Sequence, residues 1–225
     1  MDGFPHTPAP MRAALDALVR RDARLATIEL AAGPLPWRTR TRGFPGLLQA
    51  IVAQQISNAA ASAIWRRLAA VPGASTAAGL LALDEAALLG AGLSRPKVAH
   101  ARALATAYAD GRLDDDAIDL LPDEAAVAAI TAVRGLGPWT AEVYLLFALG
   151  RTDVFPAGDI AVAGAAARLL GLAARPGPAP LRLIAEAWRP HRALAARLLW
   201  HHWRHVTGRP SMDDVAGPRP VAGGA

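Results

Sequence analysis

Apolar residues recur at steps of three and four along nearly the whole chain, and nowhere do they alternate with polar ones over a strand's length. Leu15, Leu18, Val19, Leu25 and Ile28 mark one helical face, and Leu47, Leu48, Ile51, Val52, Ile56, Ile64 and Leu68 mark another. This period excludes a half-buried sheet and predicts an all-α protein. Glycine and proline punctuate the pattern. Helices are expected over 11–32, 46–70, 76–82, 84–90, 95–110, 123–132, 138–149, 160–170, 181–187 and 190–206, with a loop over 33–45. At 225 residues, 53% hydrophobic, the chain is long enough for one domain or two closely joined ones and too apolar to be disordered.

Other classes fall away on composition. There is no cysteine, so there is no disulfide framework, thiolate zinc site, iron–sulfur cluster or catalytic thiol. No apolar run reaches the roughly 18 residues of a membrane span. The first dozen residues lack the order of a signal peptide, so the expectation is a cytoplasmic protein with no membrane partner. The net charge is +5 and unevenly spread. Residues 84–124 carry four basic and nine acidic residues, whereas residues 160–210 carry eight Arg and only Glu186. A basic final third is compatible with a polyanionic partner, and equally with solvated helix faces. The cluster His201-His202-x-x-His205 has helical spacing but no acidic neighbour, which favours surface or polyanion-facing histidines over a metal site.

The segment 123–149 is the most informative. Two helices meet at Gly135-Leu136-Gly137-Pro138. Glycines admit positive φ and close backbone approach, and proline suits the first turn of the second helix. The free amides of that turn, at the positive end of the helix dipole, suit a phosphate. A bare Gly-x-Gly is also an ordinary helix connection. The longer string Val133-x-Gly135-Leu136-Gly137-Pro138-Trp139-Thr140-Ala141 is more specific. It resembles the helix-hairpin-helix of the HhH-GPD superfamily of base-excision DNA glycosylases.

Three further segments carry the same resemblance, in family order. Ile51-Val52-Ala53-Gln54-Gln55-Ile56-Ser57 is similar to the element the superfamily inserts into DNA. Phe155-Pro156-Ala157-Gly158-Asp159 is similar to its Gly/Pro loop and aspartate. Trp188-Arg189-Pro190-His191-Arg192-Ala193-x-Ala195, with Leu199-Trp200 beyond, is similar to the C-terminal pattern of the DNA-3-methyladenine glycosylase II (AlkA-like) branch. About forty residues precede the first motif, so the compact form without the additional N-terminal domain is expected.

The resemblance implies two helical lobes flanking a central cleft. One would span 42–158 and end in the hairpin. The other would join 1–41 to 159–207, with 208–225 a flexible tail. It implies hydrolytic release of alkylated purines, of the 3-methyladenine and 7-methylguanine class, from duplex DNA by base flipping. Deaminated or oxidised bases are the alternative substrates, and an inactive DNA or abasic-site binder is the alternative function. A monomer is expected.

The implied roles fall on particular residues. Asp159 would be catalytic: a fixed carboxylate stabilises the positive charge that grows on the sugar and orients the attacking water. It would equally serve as an ordinary N-cap of the following helix. Trp139 and Trp200 would hold the base by stacking, or else simply pack the core. Val143 stands where the branch has a further pocket tyrosine, which leaves the base range open. Gln55 would fill the gap left by the flipped base, or merely decorate its helix, while Gln54 and Ser57 would support the turn. Gly135, Gly137 and Thr140 would grip phosphate. The carbonyls of Thr131, Val133 and Leu136 would hold a structural cation that takes no part in bond cleavage. Arg95, Lys97 and the late arginines would add phosphate contacts. The lysine that bifunctional relatives use for a Schiff base is replaced by Trp139, and Lys97 is the chain's only lysine. This points to a monofunctional enzyme without lyase activity and without a catalytic cofactor.

Overall fold

The computed structural model describes residues 7–209, and these contain thirteen α-helices, two short 3-10 turns and no strand. In chain order the helices are α1 (Ala9–Arg21), α2 (Ala26–Ala32), α3 (Gly43–Ala53), α4 (Asn58–Ala69), α5 (Ala77–Ala82), α6 (Glu85–Gly90), α7 (Arg95–Ala109), α8 (Asp115–Leu120), α9 (Asp123–Thr131), α10 (Pro138–Phe147), α11 (Ile160–Leu170), α12 (Pro178–Ala185) and α13 (Arg192–Thr207). The all-α expectation holds. Of the tail expected at 208–225, all but Gly208 and Arg209 lies outside the described residues.

Two expected helices are each divided. The stretch 11–32 breaks at Asp22, where the backbone turns extended. The Asp22 carboxylate accepts the Arg24 amide at 3.2 Å, both nitrogens of the Arg24 fork at 2.8 Å and the Trp188 indole N–H at 3.0 Å. A side chain that offers the backbone this alternative ends a helix whatever its apolar period. The stretch 46–70 breaks at 54–57, between α3 and α4. Conversely, α8 lies where too few apolar residues recur for a periodic signal. Asp114 caps it by accepting the Ala117 amide at 2.8 Å, and Ile118 is its buried anchor.

The chain forms two compact units. One comprises the described residues 7–39 and 145–209, the other residues 40–144, so the boundary falls inside α10 instead of after Gly158. In the continuous unit, α7 is the central helix and packs against α3, α5 and α6. Leu47, Leu48, Ile51, Leu68, Leu80, Leu88 and Leu104 are fully buried there. Burying a side chain of this size contributes roughly 1.5–3 kcal/mol. Tyr144 is also buried. Its hydroxyl accepts the Gly43 amide at 2.7 Å, which fixes the start of α3. Loss of solvation pushes the phenol up to about 12.

In the discontinuous unit, α13 packs against α1, α2 and α11. Gly164 permits the last of these contacts, because a Cβ there would lie 2.5 Å from the Trp203 ring. Arg197 is buried in the middle of α13. Its guanidinium lies 4.2 Å from the Trp37 ring centroid and 4.4 Å from that of Phe147. It also donates to the carbonyls of Arg38 at 2.8 Å and Leu146 at 3.1 Å. A permanently charged group is tolerated in such a place because two ring faces and two carbonyls replace its water.

Candidate functional site

In the continuous unit, α9 runs into α10 through residues 132–137. Gly135 has φ +95°, and a Cβ on it would fall 2.3 Å from Cγ of His100. Both facts demand glycine. The Leu136 amide donates to the Val133 carbonyl at 3.1 Å, and Leu136 is buried, so it pins the turn from within. Gly137 is exposed, with nothing near its virtual Cβ. It precedes Pro138, and its carbonyl accepts the Ala141 amide at 3.1 Å. Pro138 brings no N–H, so the amides of Trp139 and Thr140 lead the helix, outside its internal ladder. Trp139 is half-buried, whereas the Thr140 side chain is buried.

The turn at 54–57 belongs to the same unit. Gln55 has φ +57° and is exposed, the one non-glycine described residue in the left-handed region. Gln54 donates from Nε2 to the Gly135 carbonyl at 2.9 Å, and Ser57 caps α4 by accepting the Ala60 amide at 3.3 Å. The supporting part expected of Gln54 and Ser57 thus has definite atoms. Lys97 differs from expectation. Its ammonium donates to the Val52 carbonyl at 2.6 Å, in the last turn of α3, and burial pulls its pKa down.

Val143 is 2% exposed. It is a core side chain of the helix that also carries Trp139. Glu142, on the same helix, is buried as well.

In the discontinuous unit, Val154-Phe155-Pro156-Ala157-Gly158 forms a tight loop. The Ala157 amide donates to Phe155 and the Asp159 amide to Pro156, both at 2.9 Å. The Phe155 ring sits 5.9 Å from Trp188. The loop delivers Asp159 to the head of α11, where its Oδ1 accepts the amides of Ala161 at 2.8 Å and Val162 at 2.9 Å. Asp159 is 6% exposed. Two amide donors fix its orientation at the head of the helix. The capping role is therefore met in full.

Trp200 belongs to this unit. It is 0% exposed and tilts against Phe147 at 5.3 Å between centroids. Its indole N–H finds no acceptor among the described residues. Its position is thus a core position, next to the ring that Arg197 covers.

The late arginines are less available than their number suggests. Arg192 and Arg189 both bind Asp153, at 3.0 and 2.6 Å, and both bind Glu186. Asp153 also accepts the Arg192 amide at 3.3 Å. The Trp-Arg-Pro-His-Arg motif therefore anchors the start of α13 beside the loop that ends in Asp159. Arg197 is interior. His201 is buried instead of surface-facing, with Nε2 3.0 Å from the Gly33 carbonyl. No group of three or more His, Cys, Asp or Glu side chains suited to a metal occurs among the described residues. No described helix is long and apolar enough to cross a membrane.

Sequence reasoning missed Asp22, Asp153, Arg197 and His100 because their partners are remote in the chain. Lys97 did carry a signal: in a chain that otherwise uses Arg, a single Lys marks a place where a compact ammonium suits one carbonyl.

Residues 48–190 match the HhH-GPD superfamily base excision DNA repair protein family. The chain is 25% identical over 162 residues to the alkylbase DNA glycosidase-like protein mag2 of Schizosaccharomyces pombe, covering 70% of this chain and 76% of that protein. The crystal structure of a DNA-3-methyladenine glycosidase from Bacillus halodurans is similar with a TM-score of 0.79 and 30% identity, over 88% of this chain and 92% of that one. The S. pombe 3-methyladenine DNA glycosylase Mag1 in complex with abasic DNA is similar with a TM-score of 0.73 and 25% identity, over 85% and 95%.

Proposed function

Because the chain belongs to the HhH-GPD superfamily of base excision DNA repair proteins, we propose that it excises alkylated purines from duplex DNA as a monofunctional DNA glycosylase. The observation that carries this reading is Asp159, buried and held by two amides at the head of α11 after the Gly/Pro loop. The names of the relatives supply the substrate class, 3-methyladenine and its kin.

Breaking the N-glycosidic bond leaves positive charge on the deoxyribose. Asp159 is a fixed anion that needs no reorganisation to meet that charge. It also orients the attacking water and takes its proton, so that water's oxygen joins the sugar carbon and the base departs with the bonding pair. An alkylated purine is already a good leaving group, so no strong acid partner is required. The half-buried Trp139 stacks on the flipped base. Trp200 and Val143 are both buried and serve the packing of their own units. Gln55, exposed in a left-handed turn, enters the gap in the duplex. The backbone amides at Gly135, Gly137 and Thr140 receive a phosphate.

The hairpin's carbonyl oxygens suit a hard cation. The Thr131 hydroxyl turns back to the Val127 carbonyl at 2.8 Å. The donors on offer at Thr131, Val133 and Leu136 are therefore neutral backbone oxygens, the ligand type that Mg²⁺, Ca²⁺ or an alkali ion accepts. Such an ion would supply charge toward a phosphate and no bond-breaking chemistry. The absence of lyase activity rests on Trp139 at the hairpin position and on Lys97 being committed to Val52. Action as a monomer in the cytoplasm belongs to the same reading.

The test is release of free base from methylated duplex DNA under single-turnover conditions. Wild type releases base and leaves an abasic site with an intact strand. Asp159→Asn, still folded and still binding DNA, releases none. Absence of release from wild type sinks the alkylated-purine reading, and strand cleavage at the abasic site sinks the monofunctional one.

A further inference from the structure

Gln55 holds a backbone conformation that side chains other than glycine rarely adopt. Such a conformation persists only where the surroundings determine it. The groups that do so here are polar and lie on both sides of it. One residue ahead, Gln54 Nε2 reaches the Gly135 carbonyl at 2.9 Å. Three residues ahead, Lys97 Nζ holds the Val52 carbonyl at 2.6 Å, where the end of a helix leaves carbonyls unpaired and its dipole favours a cation. Two residues beyond, Ser57 caps α4. The hairpin end of this linkage is itself seated, because His100 occupies the space a Cβ on Gly135 would need. His100 lies one turn after Lys97 on α7, so a single helix braces both the Gln55 turn and the hairpin.

We propose that Lys97 and Gln54 are positioning residues that lock the Gln55 turn to the Gly135 hairpin, so that gripping the phosphate and entering the duplex are one event. This rests on the proposed role of Gln55 above. Neither residue touches the reacting atoms. Lys97 leaves the set of phosphate contacts and joins the scaffold of the inserted residue. A purely structural role would lower thermal stability and would weaken binding to damaged and undamaged DNA alike. The locked turn makes a different demand. Losing the clasp removes the preference for a gap in the duplex, and nothing further is lost once Gln55 has no side chain to insert.

The experiment measures affinity for a duplex with a tetrahydrofuran abasic analogue and for the same duplex undamaged, alongside thermal unfolding of each variant. Gln54→Leu is expected to reduce the preference for the abasic duplex about tenfold and to change affinity for undamaged DNA less than about twofold. Lys97→Met should do the same, and Lys97→Arg, which keeps a donor, should restore most of it. In a Gln55→Ala background, Gln54→Leu should change the preference less than about twofold. Losses that multiply independently, or that fall equally on both duplexes, overturn the clasp. If Lys97→Met does not fold, the Gln54 pair still decides. A wild-type protein with no preference for the abasic duplex would instead overturn the insertion reading on which the clasp rests.

Discussion

The heads of α10 and α11 use one device to opposite ends. Each follows a Gly/Pro-rich turn, and each turn aims the first amides of a helix. At α10 the residue before the helix is Gly137, which has no side chain to offer as a cap. At α11 the cap is Asp159, whose Oδ1 fills two of those amides from within. The first helix head attracts negative charge and the second displays it. On the proposed reading the first head holds a phosphate and the second meets a nascent carbocation, and a glycine at 137 against an aspartate at 159 separates them.

This contrast is sharpest at Asp159. Asp159→Asn keeps a good cap and removes the charge, whereas Asp159→Ala removes both. Base release should fall by at least about a thousandfold in either, the loss expected when an essential electrostatic group goes. Stability should fall by about 1 kcal/mol in the alanine variant alone. A urea midpoint that drops equally in both would mean that the charge, not the cap, holds α11.

The hairpin side is tested by its two glycines. Gly135→Ala must place a Cβ into His100 at positive φ, and should cost upward of about 2 kcal/mol together with most of the duplex affinity. Gly137→Ala meets open space, and should cost less than about 0.5 kcal/mol. Equal losses in the two variants would mean that the hairpin does not depend on the left-handed seat.

A smaller effect concerns Asp22, a capping carboxylate with no proposed part in the chemistry. Its hydrogen bonds with Arg24, and after them the one from Trp188, hold it down at about 2. A folded-state value below the unfolded one gives stability that is complete above about pH 4 and is lost as pH falls toward 2. That contribution is on the order of 2 kcal/mol. Asp22→Asn should flatten the acid limb of the stability profile over that window without altering base release. An unchanged acid limb would count against the Asp22 ties.

Such differences also show what a sequence can disclose. The hairpin, the Gly/Pro loop and the cap at Asp159 were legible because each is built by neighbours in the chain, through turn chemistry and capping. The break at Asp22 was not, since one of the partners that hold its carboxylate, Trp188, lies 166 residues away. The same holds for Arg197, whose basic character suggested DNA and whose surroundings are Trp37 and Phe147. Trp200 shows the limit from the other side. Its motif names a pocket residue, and only packing reveals that it is wholly interior. Charge and residue type fix what a side chain can do, while its remote neighbours decide whether it does so.

The two carbonyls that Arg197 binds belong to Arg38 and Leu146, the stretches where the chain leaves the discontinuous unit and returns to it. That has a consequence for birth on the ribosome. Residues 40–144 emerge as one uninterrupted run and can close their own core at once. The first two helices cannot. Leu15, Leu18, Leu25 and Ile28 are buried in a unit whose α13 is translated last, so these side chains must wait, uncovered, for almost the entire chain. The interval of greatest exposure to misassociation is thus written into the order of synthesis, and the arrival of Arg197 ends it.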